Sequence, residues 1–301
     1  MHAIPTMPPM FVRLVPSARL WLALAAVLLA LPVLVVLSAW IQISSEGLDM
    51  LRQMAQTVMP DYLRTTLILA LGVSVGVMCV GTLSATLVSL FDFPMRRFFE
   101  WALLLPMAMP AYVVAYAYTD FLQYSGPMQT WLRTHWQLQG RVLPEIRNAW
   151  GAAVVFTFVL YPYVYLLVRA ALSQRALHLL EAARLLGANA TRRIRCIALP
   201  LCRPAIAAGV ALALMETLAD FGLSSYFGIQ TFTTGIYKAW LVMDERIVAA
   251  QLSSVLLVLV AAVLWMEQRA QARLRFSSQR AGARPSSQAQ PIQLLGWRAT
   301  A

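Results

Sequence analysis

Apolar residues in this chain are grouped in long uncharged runs, not spread as stripes with a helical or strand period. Six runs stand out: between Arg19 and Glu46, between Arg64 and Asp92, over residues 101–119, between Arg147 and Arg169, over residues 204–225, and over residues 247–266. A helix needs about 20 apolar residues to cross the hydrocarbon of a bilayer, so each run predicts a transmembrane helix. Glu216 and Asp220 interrupt the fifth. It is still counted, because the charge pattern on either side requires a crossing there. The first run has features of a secretory signal, with Arg13 and Arg19 ahead of it and Leu37-Ser38-Ala39 where a cleavage site would sit. Its apolar stretch is longer than the roughly 7–15 residues of a signal core, which predicts an uncleaved span.

Composition agrees with an all-α integral membrane protein. Of the 301 residues, 60% are hydrophobic and only 12% charged, with a mean hydropathy of +0.66. The formal charge of +11 would suit a nucleic-acid partner if the charges formed a surface. They sit instead in short segments between apolar runs, which excludes that reading and points to membrane topology. With the N-terminus inside, 17 of the 24 Lys and Arg residues fall in the inner segments and 7 in the outer ones. That asymmetry predicts both termini in the cytoplasm. Cys79, Cys196 and Cys202 have no ligand spacing, and the last two are expected in a cytoplasmic loop, so neither disulfide nor metal site is assigned. Pro32, Pro106, Pro110 and Pro162 are expected to kink their spans. Residues 120–148 read as an outer loop carrying an interfacial helix, and the tail beyond Arg269 has linker composition. Three regions follow: 1–61 with the first span and a periplasmic segment, 62–266 with five spans, and 267–301 as a cytoplasmic tail.

Between the fourth and fifth runs stands Glu181-Ala182-Ala183-Arg184-Leu185-Leu186-Gly187, followed by Ile194, Leu199-Pro200 and Pro204. Residues 175–186 are strong helix formers, Gly187 permits a turn with positive φ, and residues 191–198 begin a second helix that Pro200 is expected to close. Pro204 suits the first turn of the fifth span. The result is a rigid bracket across the ends of two spans, with Arg184, Arg192, Arg193 and Arg195 facing a partner or anionic lipid.

This pattern of Glu-Ala-Ala, three residues, Gly and a later Leu-Pro resembles the coupling loop of ATP-binding-cassette (ABC) importer permeases. The likeness of the surrounding domain extends over residues 62–266. It implies a type I importer permease fold in a bacterial inner membrane, with the bracket seated in a groove of a cytoplasmic ATPase dimer. By that resemblance Glu181, Ala182, Ala183, Gly187, Leu199 and Pro200 carry coupling. ATP is then bound by the partner and no cofactor by this chain; the sequence has no Gly-x-x-x-x-Gly-Lys phosphate loop. A periplasmic binding protein and a second permease half complete the implied assembly. Residues 294–299 look like the start of such a second half, as in a longer permease that is split or truncated.

Glu216 and Asp220, four residues apart, are assigned to a translocation path, since acids inside a span are costly unless functional. Tyr118-Thr119-Asp120, Gly126-Pro127-Met128-Gln129, Asp220-Phe221-Gly222 and Thr234-Gly235-Ile236-Tyr237 resemble the N-terminal half of ferric iron permeases. Oxygen ligands of this kind suit a trivalent iron. Thiamine, sulfate and polyamine permeases share the architecture and stand as alternative cargoes. An intramembrane protease is disfavoured because His2, His135 and His178 all fall outside the spans and no catalytic serine or aspartate motif occurs. A secondary transporter would place charges deep in several spans, and only the fifth has them.

Overall fold

The structure is a computed structural model that describes residues 16–41, 45–173 and 177–280. All regular structure among these residues is helical. Five helical stretches are long and apolar enough to cross a membrane: Leu20–Ser38, Met59–Leu90, Ala149–Ala171, Ala190–Ala219 and Arg246–Met266. They belong to helices α1 (Pro16–Ser38), α3 (Met59–Leu90), α7 (Ala149–Ala171), α10 (Leu199–Ala219, preceded by α9, Ala190–Arg193) and α13 (Arg246–Arg280). An amphipathic helix, α2 (Ser45–Thr57), joins the first two.

The core is α7 clasped between α3 and α10. Small residues let the backbones approach. A Cβ added at Gly72 would meet the Ala153 Cβ at 3.0 Å, one at Gly76 would strike Thr157, and one at Gly81 would lie 2.8 Å from the Tyr161 carbonyl oxygen and 2.7 Å from the Val164 Cβ. On the other side of α7, a Cβ on Gly209 would lie 2.6 Å from the Val164 Cα. This is the small-residue packing that substitutes for hydrophobic drive between helices in lipid. The Gly72/Gly76 pair, four apart in an apolar run, was a readable signal for it that the span count does not use.

Residues 72, 76 and 81 of α3 meet residues 153, 157 and 161–164 of α7 in the same order, so the two helices run parallel. Parallel neighbours require the connecting chain to cross from one end of the bundle to the other. That chain is not the single straight helix expected over 101–119. It is α4 (Arg96–Ala102), a 3₁₀ turn (Leu105–Ala108), α5 (Ala111–Leu122) and α6 (Pro127–Trp136), with a 98° bend between its two halves. Pro106 opens the 3₁₀ turn and Pro110 is the N-cap of α5, where a missing N–H costs nothing. Pro32 and Pro162 stay inside continuous helices.

The fifth span also differs from expectation. It ends at Ala219, not near residue 225, because Asp220 turns extended (φ −72°, ψ 125°) and its carboxylate accepts the Leu223 N–H at 2.8 Å. A separate short helix, α11 (Gly222–Phe227), starts there, followed by α12 (Phe232–Tyr237). Its N-terminal end begins earlier than Pro204. A π-helical turn over Ile194–Ala198 joins α9 to α10, with the Leu199 N–H bonded to the Ile194 carbonyl, so Pro200 lies in the first turn of a continuing helix and closes nothing. Cys202 is buried in that helix, not in a loop.

α1 is apolar all round and exposed along most of its length, as a lipid-facing helix is. It is tied down at its end, where the Trp40 indole N–H donates to Ser254 Oγ (2.8 Å) and the Gln251 amide donates to the Ala39 carbonyl (3.3 Å). The tail beyond residue 280, including the stretch 294–299, lies outside the described residues.

A valine at position 209 has no room against Val164, so Gly209→Val is expected to cost about 1–3 kcal/mol. A lower thermal midpoint of the detergent-solubilised protein measures it, and Gly72→Ala, meeting a single methyl group, is the milder comparison.

Candidate functional site

The bracket is built as two capped helices with a left-handed residue between them. α8 (Leu177–Leu185) ends where the Ala188 N–H bonds to the Ala183 carbonyl and the Gly187 N–H to the Arg184 carbonyl, both at 3.0 Å. These are the two hydrogen bonds of a Schellman cap, with Gly187 at φ +81° in its left-handed position. Nothing lies within 4 Å of a Cβ placed on Gly187, so glycine is required by its backbone angle and not by space. Asn189 then caps α9, its side chain accepting the Arg192 N–H at 2.8 Å. The sequence places the start of this helix one residue later, at Thr191. Asn189, two residues after Gly187, is the cue for the true start. Arg175 falls outside the described residues.

Leu180 is buried and holds α8 on the body of the protein. Glu181, Arg184 and Arg193 line a groove of about 140 Å³ against Ser89, Leu90 and Phe91 at the end of α3. Ala182 and Gly187 are exposed, Ala183 half-buried, and Leu199 and Pro200 half-buried in the root of α10. The residues singled out in the sequence therefore form one continuous feature. Two others, missed there, mark its tip: Leu185 is 89% and Leu186 88% exposed. Adjacent leucines projecting fully from a capped turn are covered by nothing among the described residues.

At the end of α7, from which the bracket departs, the Arg169 guanidinium donates to Glu100 Oε2 at 2.8 Å. Arg96 lies 3.6 Å from the other Glu100 oxygen, and the Tyr165 hydroxyl donates to the Glu100 carbonyl at 3.3 Å. This cluster ties α4 to α7 beside the bracket. Its partners are 69 residues apart, beyond any local sequence signal.

At the opposite end of the bundle, Glu216 is exposed on α10 and Asp220 is half-buried, engaged in its cap. The four-residue spacing does not place them on one helical face, since the helix stops between them. Most of the short motifs around them have structural work. Buried Gln129 donates to the Leu122 carbonyl (2.7 Å) and accepts the Val142 N–H (3.2 Å), stitching the loop after α6 to α5. A side chain on Gly126 would collide with the Asp120 and Phe121 carbonyls, and one on Gly235 with the Tyr62 ring. Thr231 and Thr234 form a capping box at α12. No group of three or more His, Cys, Asp or Glu suited to a metal ion occurs among the described residues.

Residues 72–276 match the family described as binding-protein-dependent transport system inner membrane component. The chain belongs to that family. Its members are permeases of the bacterial inner membrane, which settles the location of the apolar helices. It is 27% identical over 249 residues to the Fe(3+)-transport system permease protein FbpB 2 of Haemophilus influenzae, covering 82% of this chain and 45% of that protein. It is 32% identical over 251 residues to the sulfate transport system permease protein CysW of Escherichia coli, covering 80% and 83%. The chain thus spans less than half of the iron permease and most of the sulfate permease. Among solved structures, a bacterial alginate ABC transporter matches with a TM-score of 0.68 at 19% identity, over 86% of this chain and 94% of that one. The methionine transporter MetNI matches with a TM-score of 0.60 at 15% identity, over 73% and 98%. The fold is that of ABC importer permeases.

Removing the Asn189 cap costs a helix end about 1 kcal/mol. Asn189→Ala is accordingly expected to raise amide hydrogen exchange in the 185–193 segment of the permease while leaving α7 protected, as read by mass spectrometry.

Proposed function

We propose that the chain is the membrane-spanning subunit of an ATP-driven importer that receives the motion of a separate cytoplasmic ATPase dimer through the α8–Gly187–α9 bracket. The observation that carries this reading is the exposed Leu185-Leu186 pair at the tip of a bracket rigidly capped on both sides. Glu181, Ala182, Ala183 and Gly187 shape the inserted turn, while Leu199 and Pro200 pass its displacement into α10. This orientation puts the bracket and both termini in the cytoplasm, in keeping with the 17 to 7 division of basic residues. Glu216, exposed on a span where an unpaired acid in lipid costs a few kcal/mol, faces a second permease half or the aqueous path between the halves.

The cargo we assign is ferric iron, delivered by a periplasmic binding protein. Support comes from the Haemophilus relative, a permease of an Fe(3+)-transport system whose similarity covers most of this chain. Sulfate is the second reading, favoured by the higher identity and nearly full-length match to the Escherichia coli sulfate permease.

Co-purification in detergent with the co-expressed ATPase tests the coupling. The wild type is expected to retain the ATPase, and a Leu185→Asp, Leu186→Asp variant to insert normally but lose it; equal retention by both overturns the docking site. For the cargo, cells dependent on this system are expected to accumulate radioactive ferric iron and not sulfate. Sulfate accumulation that disappears with the permease reverses the assignment.

A further inference from the structure

A pocket of about 220 Å³ opens at the outer end of the bundle, between the end of α5, the start of α6 and the loop leading to α7. Its polar lining includes Thr119, Gln123, Tyr124, Arg141, Glu145 and Arg147. Two arginines against one glutamate leave an excess of positive charge. Thr119 is 5% exposed and its hydroxyl has no hydrogen-bond partner. Thr86, Thr157 and Thr217 each donate to the carbonyl four residues back, at 2.7, 2.7 and 2.8 Å, whereas Thr66 and Thr82 on α3 are, like Thr119, buried without a partner. Thr119 has the same option on α5 and does not take it, leaving a buried donor at the pocket wall. A buried hydroxyl without a partner is costly, so it marks a position where an acceptor belongs.

We propose that this pocket is a socket for a carboxylate, presented as an Asp or Glu side chain by the periplasmic binding protein; the inference rests on the importer reading above. The volume far exceeds that needed for one water and accommodates an acidic side chain. Arg141 is held by Glu145 at 3.3 Å in a pair exposed on both sides, a contact weak enough for an incoming carboxylate to displace. The rim favours a protein over a small free anion. Tyr124, 49% exposed, carries the Arg133 guanidinium 4.1 Å above its ring, and Trp131, 55% exposed, stacks on His135. Aromatic and arginine side chains of this kind are enriched at protein interfaces.

The socket also has an outlet. Arg147 donates to the Tyr226 carbonyl at 2.6 Å and lies 5.0 Å from the centre of that ring. Tyr226 is on α11, the helix that the Asp220 cap launches from the outer end of α10. A carboxylate drawing on Arg147 competes with that carbonyl, so docking loosens the link between the loop entering α7 and α11.

The test uses the permease with its ATPase in nanodiscs and its labelled binding protein, with docking read by thermophoresis across a salt series. Arg141→Glu is expected to weaken docking by about tenfold or more and flatten its salt dependence, and Thr119→Val to weaken it several-fold. Substituting one acidic residue of the binding protein by Lys is expected to restore docking to the Arg141→Glu permease. Docking of equal strength by wild type and Arg141→Glu overturns the socket and leaves the importer reading intact. A wild-type complex that docks no binding protein overturns both. If acetate or sulfate alone binds saturably at Arg141 while no acidic residue of the binding protein matters, the ligand is a free anion and the assignment to the partner fails.

Discussion

The architecture depends on how closely three helices approach at Val164. Gly81 of α3 and Gly209 of α10 both leave backbone-level space beside it, and nothing larger than hydrogen fits at either without displacement. In lipid, where apolar surface gains little from association, such close packing is what holds helices together. The contact also sets direction. Because α3 and α7 lie parallel in this embrace, the segment between them must traverse the bundle, although no straight helix is available to do so. The bent α4–α6 unit is therefore a consequence of the core, and the bracket emerges on the same side as the end of α3 because α7 points that way.

Breaking helices inside a membrane protein is tolerated where the freed backbone groups find partners. This chain makes its breaks at residues that supply their own solution. Pro110 has no N–H to satisfy at the start of α5, Asp220 accepts the Leu223 N–H when α10 stops, and the Thr231–Thr234 capping box closes α12. Gln129 uses both ends of its amide to close the loop after α6 on α5. The motifs that suggested an iron permease are concentrated at these breaks. Most of them are better explained as what allows an irregular outer end to fold than as ligands, so likeness in them follows shared architecture more closely than shared cargo.

The six hydrophobic runs were legible because length and lack of charge are sufficient signals for a span. The bracket was legible because Gly187 and the flanking helix formers leave few local alternatives. Boundaries were harder to place. Asp220 falls in a hydropathy run, which does not show that an Asp is used as a cap, and Pro200 reads as a terminator because nothing in the sequence shows that the helix before it continues through a π-turn. The Glu100–Arg169 pair and the exposure of Leu185 and Leu186 are properties of the folded chain. One depends on residues brought together from distant segments, the other on which side of α8 meets the body of the protein.

From Ala190 to Ala219 the chain is one helical stretch of 30 residues. At 1.5 Å per residue such a rod is about 45 Å long, enough to reach from the bracket to the opposite end of the bundle. At one end it is joined to the Gly187 turn; at the other it stops at Asp220, whose carbonyl accepts the Thr233 hydroxyl (2.9 Å) and whose carboxylate starts α11. A stiff element with a capped turn at each end transmits displacement as rotation or translation of the whole, since bending it would break several backbone hydrogen bonds at once. Its regular hydrogen bonding is interrupted at the π-turn over Ile194–Ala198, next to the bracket, and at Pro204 inside α10. The close approach of Gly209 to Val164 lies between the two ends. At the end far from the bracket, Asp220 joins α10 to Thr233 and to the start of α11, and Tyr226 of α11 in turn accepts from Arg147, so the end of this stretch is tied to two neighbouring segments.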